Sequence, residues 1–425
     1  MADFERLEAD WLSYDDALAR VLADARPTAA TTLVPARALG RSLARPVVAR
    51  ATLPSWPNSA MDGFAVRSED LASTSGRTIR LPVAGRSYPG SAPPEGVPAG
   101  AAVRIMTGGP VPVGFDSVIR VEHTDGEASA GFVEIHRTDD VGKHIRAPGK
   151  DMGRGDETVP AGAVVHSGTL PVIMASGAES LTVFRRPRVG VLSSGDELVG
   201  PDRFDLVVQG RGIPDSNRDM IAAAVAEAGG IPVDLGVAPD DPDALKAALE
   251  SVEGVDVLVS TGGASMGEKD LLKRILLGLD FRLDFWRARV RPGSPLSFGH
   301  LRHEAGDLPV LGLPGNPASA FVTFHAFAAP YLRAMLGSPR PEGTTVTVPT
   351  DTALTSPPRL TQFYRVRFLP ARAPGEAARC TLTGPQGSGL VRSLRDAEGL
   401  AVVAEGISCI EEGEPVAVLL LPGRQ

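Results

Sequence analysis

The feature that most constrains this chain is a regular alternation of strand-like and helix-like runs between about residues 186 and 337. The strand-like runs are RVGVLSS, IPVDLGV, VDVLVST and LPVLGL. The helix-like runs between and after them are RDMIAAAVAEAGG, DPDALKAALESV, KDLLKRILLGL and PASAFVTFHAFAAPYLRAML. Strands joined by helices pair mainly in parallel and are covered on both faces. We therefore predict a central three-layer α/β domain with a mostly parallel sheet.

The segments on either side have a different pattern, in which short alternating runs are broken by glycine and proline. Before the α/β region come IRLPVAG, AAVRIMTG, DSVIRVEH and GFVEIHR, and after it come TTVTVP and YRVRFLP. The chain has 47 glycines and 37 prolines, which favours tight turns and short strands over a helical bundle. We predict flanking β-rich domains, a C-terminal β-barrel-like domain, and an N-terminal helix capped by Ser13.

A length of 425 residues is enough for two to four domains. We predict an N-terminal helix and β-rich linker domain at 1–50 plus 141–185, and a β-rich domain at 51–140. The α/β domain is predicted at 186–337 and a C-terminal β domain at 338–425.

Composition argues against several classes of protein. The formal net charge of −8 disfavours a broad nucleic-acid-binding surface. The two cysteines, Cys380 and Cys409, cannot make a disulfide framework and fit no zinc-ligand spacing. The start, MADFERLEADWLS, lacks an apolar signal core, and no apolar run has the length of a membrane helix. We therefore expect a cytoplasmic protein that binds neither nucleic acid nor a membrane.

Polar loops follow the predicted strands, where an open α/β sheet binds its ligands. They are SSGDEL at 193–198, DSNRD at 215–219, STGGASMGEKD at 260–270 and PGNPAS at 314–319. Each alone has a simpler explanation. In chain order these are a glycine turn before an acidic helix start, an N-cap by Asp215 or Ser216, a strand-to-helix turn, and a rigid turn before a helix starting at Pro317. Together, four such loops at one edge predict an anion site, since glycine N–H groups and helix N termini favour negative charge.

The charged residues of these loops indicate a phosphate-bearing ligand and a divalent cation. Glu197, Asp215 and Asp270 would repel a phosphate unless a hard cation lies between them, and Mg²⁺ prefers such oxygen ligands. Arg287 and Arg291, in FWRARVRPGSP, are predicted on one face of a strand, and their guanidinium groups suit phosphate or another oxyanion. Ordinary solvated strand residues are the alternative explanation for these two arginines.

The β-rich segment contains a second group of candidate motifs. PSWPNSAMDGFAV, at 54–66, includes Asp62, although an Asp-Gly pair is also typical of a hairpin turn. RIMTGGPVP, at 104–112, includes Thr107, for which a turn cap is the simpler explanation. HIRAPGKDMGRGD, at 144–156, includes Arg146 and Asp151, and a solvated charge cluster is the alternative there.

Together these motifs resemble, in order and over nearly the whole chain, those of the MoeA/gephyrin E-domain family of molybdopterin molybdenumtransferases. The matching segments are NSAMDGFA, RIMTGGPVP, IRAPGKDMGRGD, SSGDEL, DSNRDM, STGGASMGEKD, RPGSP and GLPGNPAS. The resemblance implies an elongated homodimer in which the 51–140 domain reaches the partner's site, with the molybdopterin adenylyltransferase as a further partner. It also implies Mg²⁺-dependent hydrolysis of adenylyl-molybdopterin and insertion of molybdate into the dithiolene, giving molybdenum cofactor and AMP.

The resemblance implies site residues by their position in the matching motifs. The catalytic residues would be Asp62, Thr107, Glu197, Asp215 and Asp270, with Glu197, Asp215 and Asp270 holding Mg²⁺. The substrate-binding residues would be Arg146, Asp151, Ser193, Ser194, Gly195, Ser216, Asn217, Gly262, Gly263, Gly267, Arg287, Arg291, Ser294, Pro314, Gly315, Asn316 and Pro317.

One loop departs from the family pattern. The family often has lysines where this chain has Arg287 and Arg291, and KPGKP where this chain has RPGSP, so Ser294 removes one positive charge from the predicted oxyanion pocket. Two other functions stay open on the residues alone. One is a non-catalytic protein that binds or delivers molybdopterin or the molybdenum cofactor. The other is a Mg²⁺-dependent phosphohydrolase or nucleotidyltransferase acting on another pterin or nucleotide.

Overall fold

The computed structural model describes residues 11–72, 78–126, 128, 130–239, 241–250, 252–262, 281–303, 306–371 and 375–423. Its helices are α1 (Tyr14–Asp24), α2 (Ser68–Leu71), α3 (Thr169–Ala175), α4 (Asp205–Val208), α5 (Asn217–Glu227), α6 (Pro242–Glu250), α7 (Pro317–Thr323) and α8 (Ala329–Met335). The predicted helix KDLLKRILLGL lies outside the described residues.

The first half of the chain contributes short strands. They are β1 (Ala30–Leu33), β2 (Val47–Val48), β3 (Asn58–Ser59), β4 (Gly63–Val66), β5 (Ile79–Ser87), β6 (Ala102–Ile105), β7 (Ser117–Arg120), β8 (Phe132–Ile135), β9 (Ile145–Arg146), β10 (Glu157–Val159), β11 (Leu181–Phe184), β12 (Arg188–Ser194), β13 (Leu198–Val199) and β14 (Ile213–Pro214). The second half contributes β15 (Ile231–Ala238), β16 (Val257–Thr261), β17 (Phe281–Phe285), β18 (Val290–Arg291), β19 (Ser297–His303), β20 (Gly306–Leu313), β21 (Thr345–Pro349), β22 (Leu354–Thr355), β23 (Thr361–Leu369), β24 (Arg379–Leu382), β25 (Gly399–Val403), β26 (Cys409–Ile410) and β27 (Pro415–Leu420).

The central sheet has the order β15-β12-β16-β20-β19-β17. Its first four strands run parallel, and the last two form an antiparallel edge that the sequence pattern did not reveal. Residues at both faces of β12 and β16 are buried, as in the neighbouring pairs Val191 and Leu192 on β12 and Val257 and Leu258 on β16. Burial of this kind is typical of strands that are covered on both faces, and it explains the apolar runs. The sheet is thus mostly parallel, and its three-layer arrangement stays a prediction.

The long helix predicted from PASAFVTFHAFAAPYLRAML is continuous but not uniform. A π-helical turn, Phe324–Ala328, joins α7 to α8. Pro330 lies in the first turn of α8 and has no N–H to donate, so the wider turn before it accommodates the missing hydrogen bond. Within the described part of the chain, no helix combines the length and the apolar character needed to cross a bilayer.

Small sheets precede the central one. A five-stranded sheet has the order β7-β4-β6-β5-β8, and β1-β11, β2-β10 and β3-β9 form separate two-stranded sheets. The Asp62-Gly63 pair is not a hairpin turn, because Gly63 begins β4 and pairs with Arg120. An added Cβ at Gly63 would lie 2.0 Å from the carbonyl oxygen of Ile119, so glycine is required by this strand contact.

The C-terminal sheet has the order β18-β23-β25-β27-β21, with β24 also paired to β23. A bridge connects Thr350, which follows β21 at one end of this path, with Cys380 on β24. Whether the sheet closes as a barrel stays a prediction, as do the four domain boundaries. Helix α1 confirms one local prediction, since the Ser13 hydroxyl accepts from the N–H of Asp16 at 3.0 Å.

Candidate functional site

A cavity of about 500 Å³ opens beyond the carboxyl ends of β12, β16 and β20. This is the edge at which open α/β sheets bind ligands. The four predicted loops meet here, as far as they are described. The lining residues are Ser194, Gly195, Glu197, Leu198, Ile213, Pro214, Asp215, Ser216, Asn217, Thr261, Gly262, Pro295, Pro314, Gly315, Asn316 and Pro317.

The first wall of the cavity is the loop after β12. Glu197 is exposed, and a methyl group placed on Gly195 would lie 2.9 Å from both of its carboxylate oxygens. The carboxylate therefore folds back over the glycine backbone at the cavity edge. The alternative explanation as an acidic helix start is wrong, because the chain continues into β13, Leu198–Val199, which pairs with β14.

Asp215 holds a buried carboxylate at the second wall. Its side chain is 2% exposed and forms an ion pair with Arg218, whose Nε lies 3.2 Å from Oδ2. This contact lacks hydrogen-bond geometry, so Oδ2 has no hydrogen-bond donor among the described residues. The Ser193 hydroxyl donates to Oδ1 at 3.3 Å, and the Arg218 N–H lies 3.4 Å from the same oxygen. Asp215 is thus partly an N-terminal cap of α5 and partly an acceptor with unused capacity.

Asn217 begins α5 and connects two walls of the cavity. Its Nδ2 donates to the Gly315 carbonyl at 2.7 Å and more weakly to the Thr261 hydroxyl at 3.3 Å. The residue is 7% exposed, and within the described ranges its Oδ1 has no donor. Buried polar atoms are almost always paired, so this oxygen is a candidate acceptor for a ligand N–H. Ser216 is the N-cap residue of α5 but makes no side-chain cap hydrogen bond.

Close backbone approach forms the floor of the cavity. Gly262 follows β16 with φ +93°, and an added Cβ would lie 2.3 Å from the Ser194 carbonyl oxygen. The same addition at Gly315 would lie 3.4 Å from the Cα of Gly262. Three loop backbones therefore converge within contact distance, which a side chain at Gly262 would prevent.

The fourth wall is the turn from Pro314 to Pro317, where α7 begins as predicted. Sequence reasoning missed its partner, Ser388, on a loop of the C-terminal sheet. The Ser388 carbonyl accepts from the Ala318 N–H at 2.9 Å, and its hydroxyl accepts from Asn316 Nδ2 at 3.3 Å. GPQGSG at 384–389 has the composition of an ordinary turn, so no local signal distinguished it.

Asp62 and Thr107 form a second cluster, away from the described lining of the cavity. Asp62 Oδ1 accepts from the Thr107 N–H and from its hydroxyl, both at 2.7 Å. These two hydrogen bonds lower the pKa of the exposed Asp62 carboxyl. The structure therefore brings together two residues that are 45 positions apart in the chain and that belong to different sequence motifs.

Arg146 and Asp151 lie on segments next to this cluster. Arg146 belongs to β9 and pairs with Asn58 of β3, in the segment that leads to Asp62. The N–H of Asp151 donates to the carbonyl of Leu53 at 3.1 Å. Arg146 is half-buried and Asp151 is exposed. Thr107, Arg146 and Asp151 therefore all contact the stretch of chain that runs from Leu53 to Asp62.

The structure corrects the expectation for Arg287 and Arg291. They do not share one strand face, because β17 ends at Phe285 and Arg291 belongs to β18. The segment between them contacts the start of the described chain, through a parallel bridge between Ala288 and Leu12. The Arg287 guanidinium lies 4.9 Å from the centroid of the Trp11 ring, and Arg291 is exposed. Neither arginine lines the described cavity.

Ser294 lies next to the described cavity lining and is not part of it. It is 4% exposed, and its hydroxyl donates to the Val290 carbonyl at 2.6 Å. Its neighbour Pro295 lines the cavity, whereas Ser294 stabilises the turn behind it. The predicted contact between Ser294 and an oxyanion stays a prediction.

Three candidates, Gly263, Gly267 and Asp270, lie outside the described residues. Within the described ranges, no group of three or more His, Cys, Asp and Glu side chains is arranged to hold a metal ion.

Family comparisons cover most of the chain. Residues 12–177 match the MoeA N-terminal region (domain I and II), residues 190–334 match a probable molybdopterin binding domain, and residues 347–421 match the MoeA C-terminal region (domain IV).

Individual proteins agree with this order. Molybdopterin molybdenumtransferase 2 of Mycobacterium tuberculosis (strain ATCC 25618 / H37Rv) is 35% identical, with 94% of this chain and 97% of that protein covered. Molybdopterin molybdenumtransferase of Nostoc sp. (strain PCC 7120) is 33% identical, with 90% and 87% covered. A crystal structure of a molybdopterin biosynthesis MoeA protein from Pyrococcus horikoshii OT3 has a TM-score of 0.82 at 24% identity, covering 97% of this chain and 100% of that one. That structural likeness supports the multidomain fold.

The sequence identity extends over nearly the full length of the bacterial relatives, and the family matches follow one another in order. The chain therefore belongs to the MoeA family of molybdopterin molybdenumtransferases, which are enzymes of molybdenum cofactor biosynthesis.

Proposed function

We propose that this chain hydrolyses adenylyl-molybdopterin in a Mg²⁺-dependent reaction and inserts molybdate into the dithiolene, giving molybdenum cofactor and AMP. The observation that carries the proposal is the cavity where the loops after β12, β16 and β20 meet the N terminus of α5. Hydrolysis breaks one P–O bond of the phosphoanhydride and adds the oxygen of water to one of the two phosphates. The chemistry therefore depends on positioning and on stabilising negative charge.

The chain's own groups suit those two tasks. N–H groups at the start of α5 and at Gly262 favour phosphate oxygens. The buried Oδ1 of Asn217 suits an N–H donor of the pterin ring. The backbone contact at Gly262 lets the ligand approach the sheet edge closely. These groups together favour a ligand that has both a phosphate and N–H donors, as a pterin phosphate does.

The donor set fits a hard cation. Asp215 Oδ2 is buried and lacks a hydrogen-bond donor among the described residues, and Glu197 lies at the edge of the same cavity. Oxygen ligands and a phosphate substrate are what Mg²⁺ prefers. We propose Glu197 and Asp215 as ligands, together with Asp270. The bound cation would supply charge neutralisation for the phosphoanhydride.

We further propose a cytoplasmic homodimer in which the Asp62 cluster of one chain completes the cavity of the other. Within the described residues, Asp62 and Thr107 do not line the cavity of their own chain, which supports a role toward a second copy. The family resemblance gives Arg146 and Asp151 substrate contacts there. Adenylyl-molybdopterin would come from the molybdopterin adenylyltransferase, which we propose as a partner. We also propose the domain division predicted from the sequence, with boundaries after residues 50, 140, 185 and 337.

The direct test is incubation of the purified chain with adenylyl-molybdopterin, molybdate and Mg²⁺, with AMP measured over time. We expect Glu197→Gln to lower AMP release by about tenfold to a thousandfold, because it removes one charged ligand while keeping the side-chain shape. The matched control is Asp202→Asn, which changes an exposed carboxylate in the turn after β13 that does not line the described cavity.

Two results decide the proposal. Normal AMP release from a folded Glu197→Gln variant would remove Glu197 from the cation site. The wild-type chain could instead bind molybdopterin and release no AMP at any molybdate or Mg²⁺ concentration. That result would favour a binding or delivery role.

A further inference from the structure

Away from the cavity, the five-stranded sheet buries a carboxylate among basic side chains. Asp140 is 2% exposed. Its Oδ2 accepts from the N–H and Nε of Arg120 at 3.1 and 3.0 Å, and its Oδ1 accepts from Arg120 Nη2 at 3.1 Å. A guanidinium bound through two nitrogens to one carboxylate is a strong and directional contact. Asp140 and Arg120 thus form one rigid unit.

Two histidines complete the surroundings of Asp140. His144 Nε2 lies 3.1 Å from Oδ1, and His123 Nδ1 lies 2.9 Å from Oδ2 without hydrogen-bond geometry. Arg120 Nη2 lies 3.2 Å from His123 Nε2 and can only donate, which places the His123 proton on Nδ1, facing Asp140. Burial opposes ionisation of Asp140, but hydrogen bonds from Arg120 and His144 outweigh it and hold its pKa well below the usual range.

The Arg120 side of this unit borders the Asp62 segment directly. Arg120 is the strand partner of Gly63, the residue that follows Asp62. The next residue, Val121, donates its N–H to the carbonyl of Asp62 at 3.0 Å. The backbone directly after the Asp62 side chain is therefore held by Arg120, which Asp140 anchors, and by the adjacent Val121.

The His144 side holds the other end of the same loop. The backbone of His144 has φ +65°, which is uncommon for a residue with a side chain. Its carbonyl accepts from the N–H of Ala60 at 2.8 Å, and the following strand β9 pairs with β3. The contact between the His144 ring and Asp140 thus holds the His144 backbone in place. That backbone in turn holds Ala60, two residues before Asp62.

We propose that Asp140 is a positioning residue for the reaction, because it ties together the segments that orient the Asp62 carboxylate and Arg146. Asp140 acts through these segments and does not touch the substrate. The inference rests on the proposed function, in which Asp62 takes part in catalysis. A displacement of about 1 Å at a reacting group can cost about a hundredfold in rate, so a buried anchor of this kind is kinetically relevant.

The test compares Asp140→Asn with wild-type chain in the AMP-release assay. The variant keeps the shape of the side chain but replaces one acceptor oxygen by a donor that faces Arg120 or a histidine. We expect kcat to fall by about tenfold to a hundredfold, while KM for adenylyl-molybdopterin rises by a smaller factor, because the cavity residues are unchanged and only the substrate contact proposed for Arg146 is disturbed.

The matched control is Asp116→Asn, at the opposite end of β7. Asp116 accepts from the N–H and hydroxyl of Ser68 at 2.9 and 2.6 Å, so its replacement also removes a structural carboxylate from this sheet. We expect Asp116→Asn to lower Tm comparably and to leave kcat unchanged. Arg120→Lys provides a second variant, since it keeps the positive charge but loses the two-nitrogen contact, and it should lower kcat in the same direction by a smaller factor.

These outcomes distinguish a failure of the positioning role of Asp140 from a failure of the proposed function. Unchanged kcat in folded Asp140→Asn and Arg120→Lys variants, beside active wild-type chain, would overturn the positioning role and leave the proposed function standing. An equal loss of kcat in Asp116→Asn would also overturn it, because any weakening of the sheet would then have the same effect. A wild-type chain that releases no AMP would refute the proposed function and this role together.

Discussion

Replacing Gly262 by alanine should damage the cavity more than the small size of the change suggests. The added methyl group would lie 2.3 Å from the carbonyl oxygen of Ser194. Carbon and carbonyl oxygen normally approach to about 3.3 Å, so one backbone has to move by about 1 Å. Since β12 and β16 pair up to Ser193 and Thr261, this movement separates the strand ends that form the cavity floor.

The energetic cost has two parts. A residue with a side chain at positive φ costs about 1–2 kcal/mol, and Gly262 has φ +93°. Forcing an extra carbon into a close-packed contact costs about 1–3 kcal/mol more. The expected loss of unfolding free energy is therefore about 2–5 kcal/mol.

Gly254→Ala is the matched control, because it isolates the first of these two parts. Gly254 also has positive φ, +65°, but an added Cβ there meets no atom within 4 Å. We expect Gly254→Ala to cost only about 1–2 kcal/mol and to leave ligand binding unchanged. Calorimetric melting of both variants measures the stability, and equilibrium titration with molybdopterin measures the binding, which should weaken by about tenfold or more in Gly262→Ala. Equal losses of stability in the two variants, or wild-type affinity in Gly262→Ala, would refute the reasoning from backbone contact.

Two further predictions concern pH dependence and the turn behind the cavity. Thr107→Val removes the hydroxyl that helps to lower the pKa of Asp62, so the pKa should rise toward its ordinary value and the acidic limb of the kcat/KM profile should move to higher pH. An unshifted limb would mean that Asp62 does not control that limb. Ser294→Lys should lower the unfolding free energy by about 2–4 kcal/mol, because it removes the hydrogen bond to Val290 and buries an ammonium group, whereas Ser294→Ala should cost about 1 kcal/mol. Tighter molybdate binding by Ser294→Lys with an unchanged Tm would instead restore the predicted oxyanion pocket.

The cavity could be anticipated because its parts carry local signals. Each loop follows an apolar run, and the geometry of a parallel sheet brings carboxyl ends of strands to one edge. Asp215 and Pro317 were therefore assigned to the same edge although 102 positions separate them in the chain. The turn chemistry of proline and the composition of the strands were sufficient for this part of the fold.

The contacts that the sequence could not reveal depend on distant partners. The segment FWRARVRPGSP reads as one extended strand, but Ala288 is drawn into a bridge with Leu12, near the other end of the chain. Likewise, nothing local in the Ser388 loop indicates that it pairs with the start of α7. Ser294 has the position expected of a family lysine, yet its hydroxyl is satisfied by a backbone carbonyl. Such outcomes are decided by packing between segments, which no periodic pattern encodes.

The hydrogen bond between the Ala318 N–H and the Ser388 carbonyl has a consequence for the motions of the cavity. The amide of Ala318 can exchange with solvent deuterium only when the loop of the C-terminal sheet separates from the turn at Pro314–Pro317. Its exchange rate therefore reports the free energy of that single opening. The cavity wall and the loop at 384–389 therefore share one local opening equilibrium, so a ligand that holds the two together should slow exchange of the Ala318 amide.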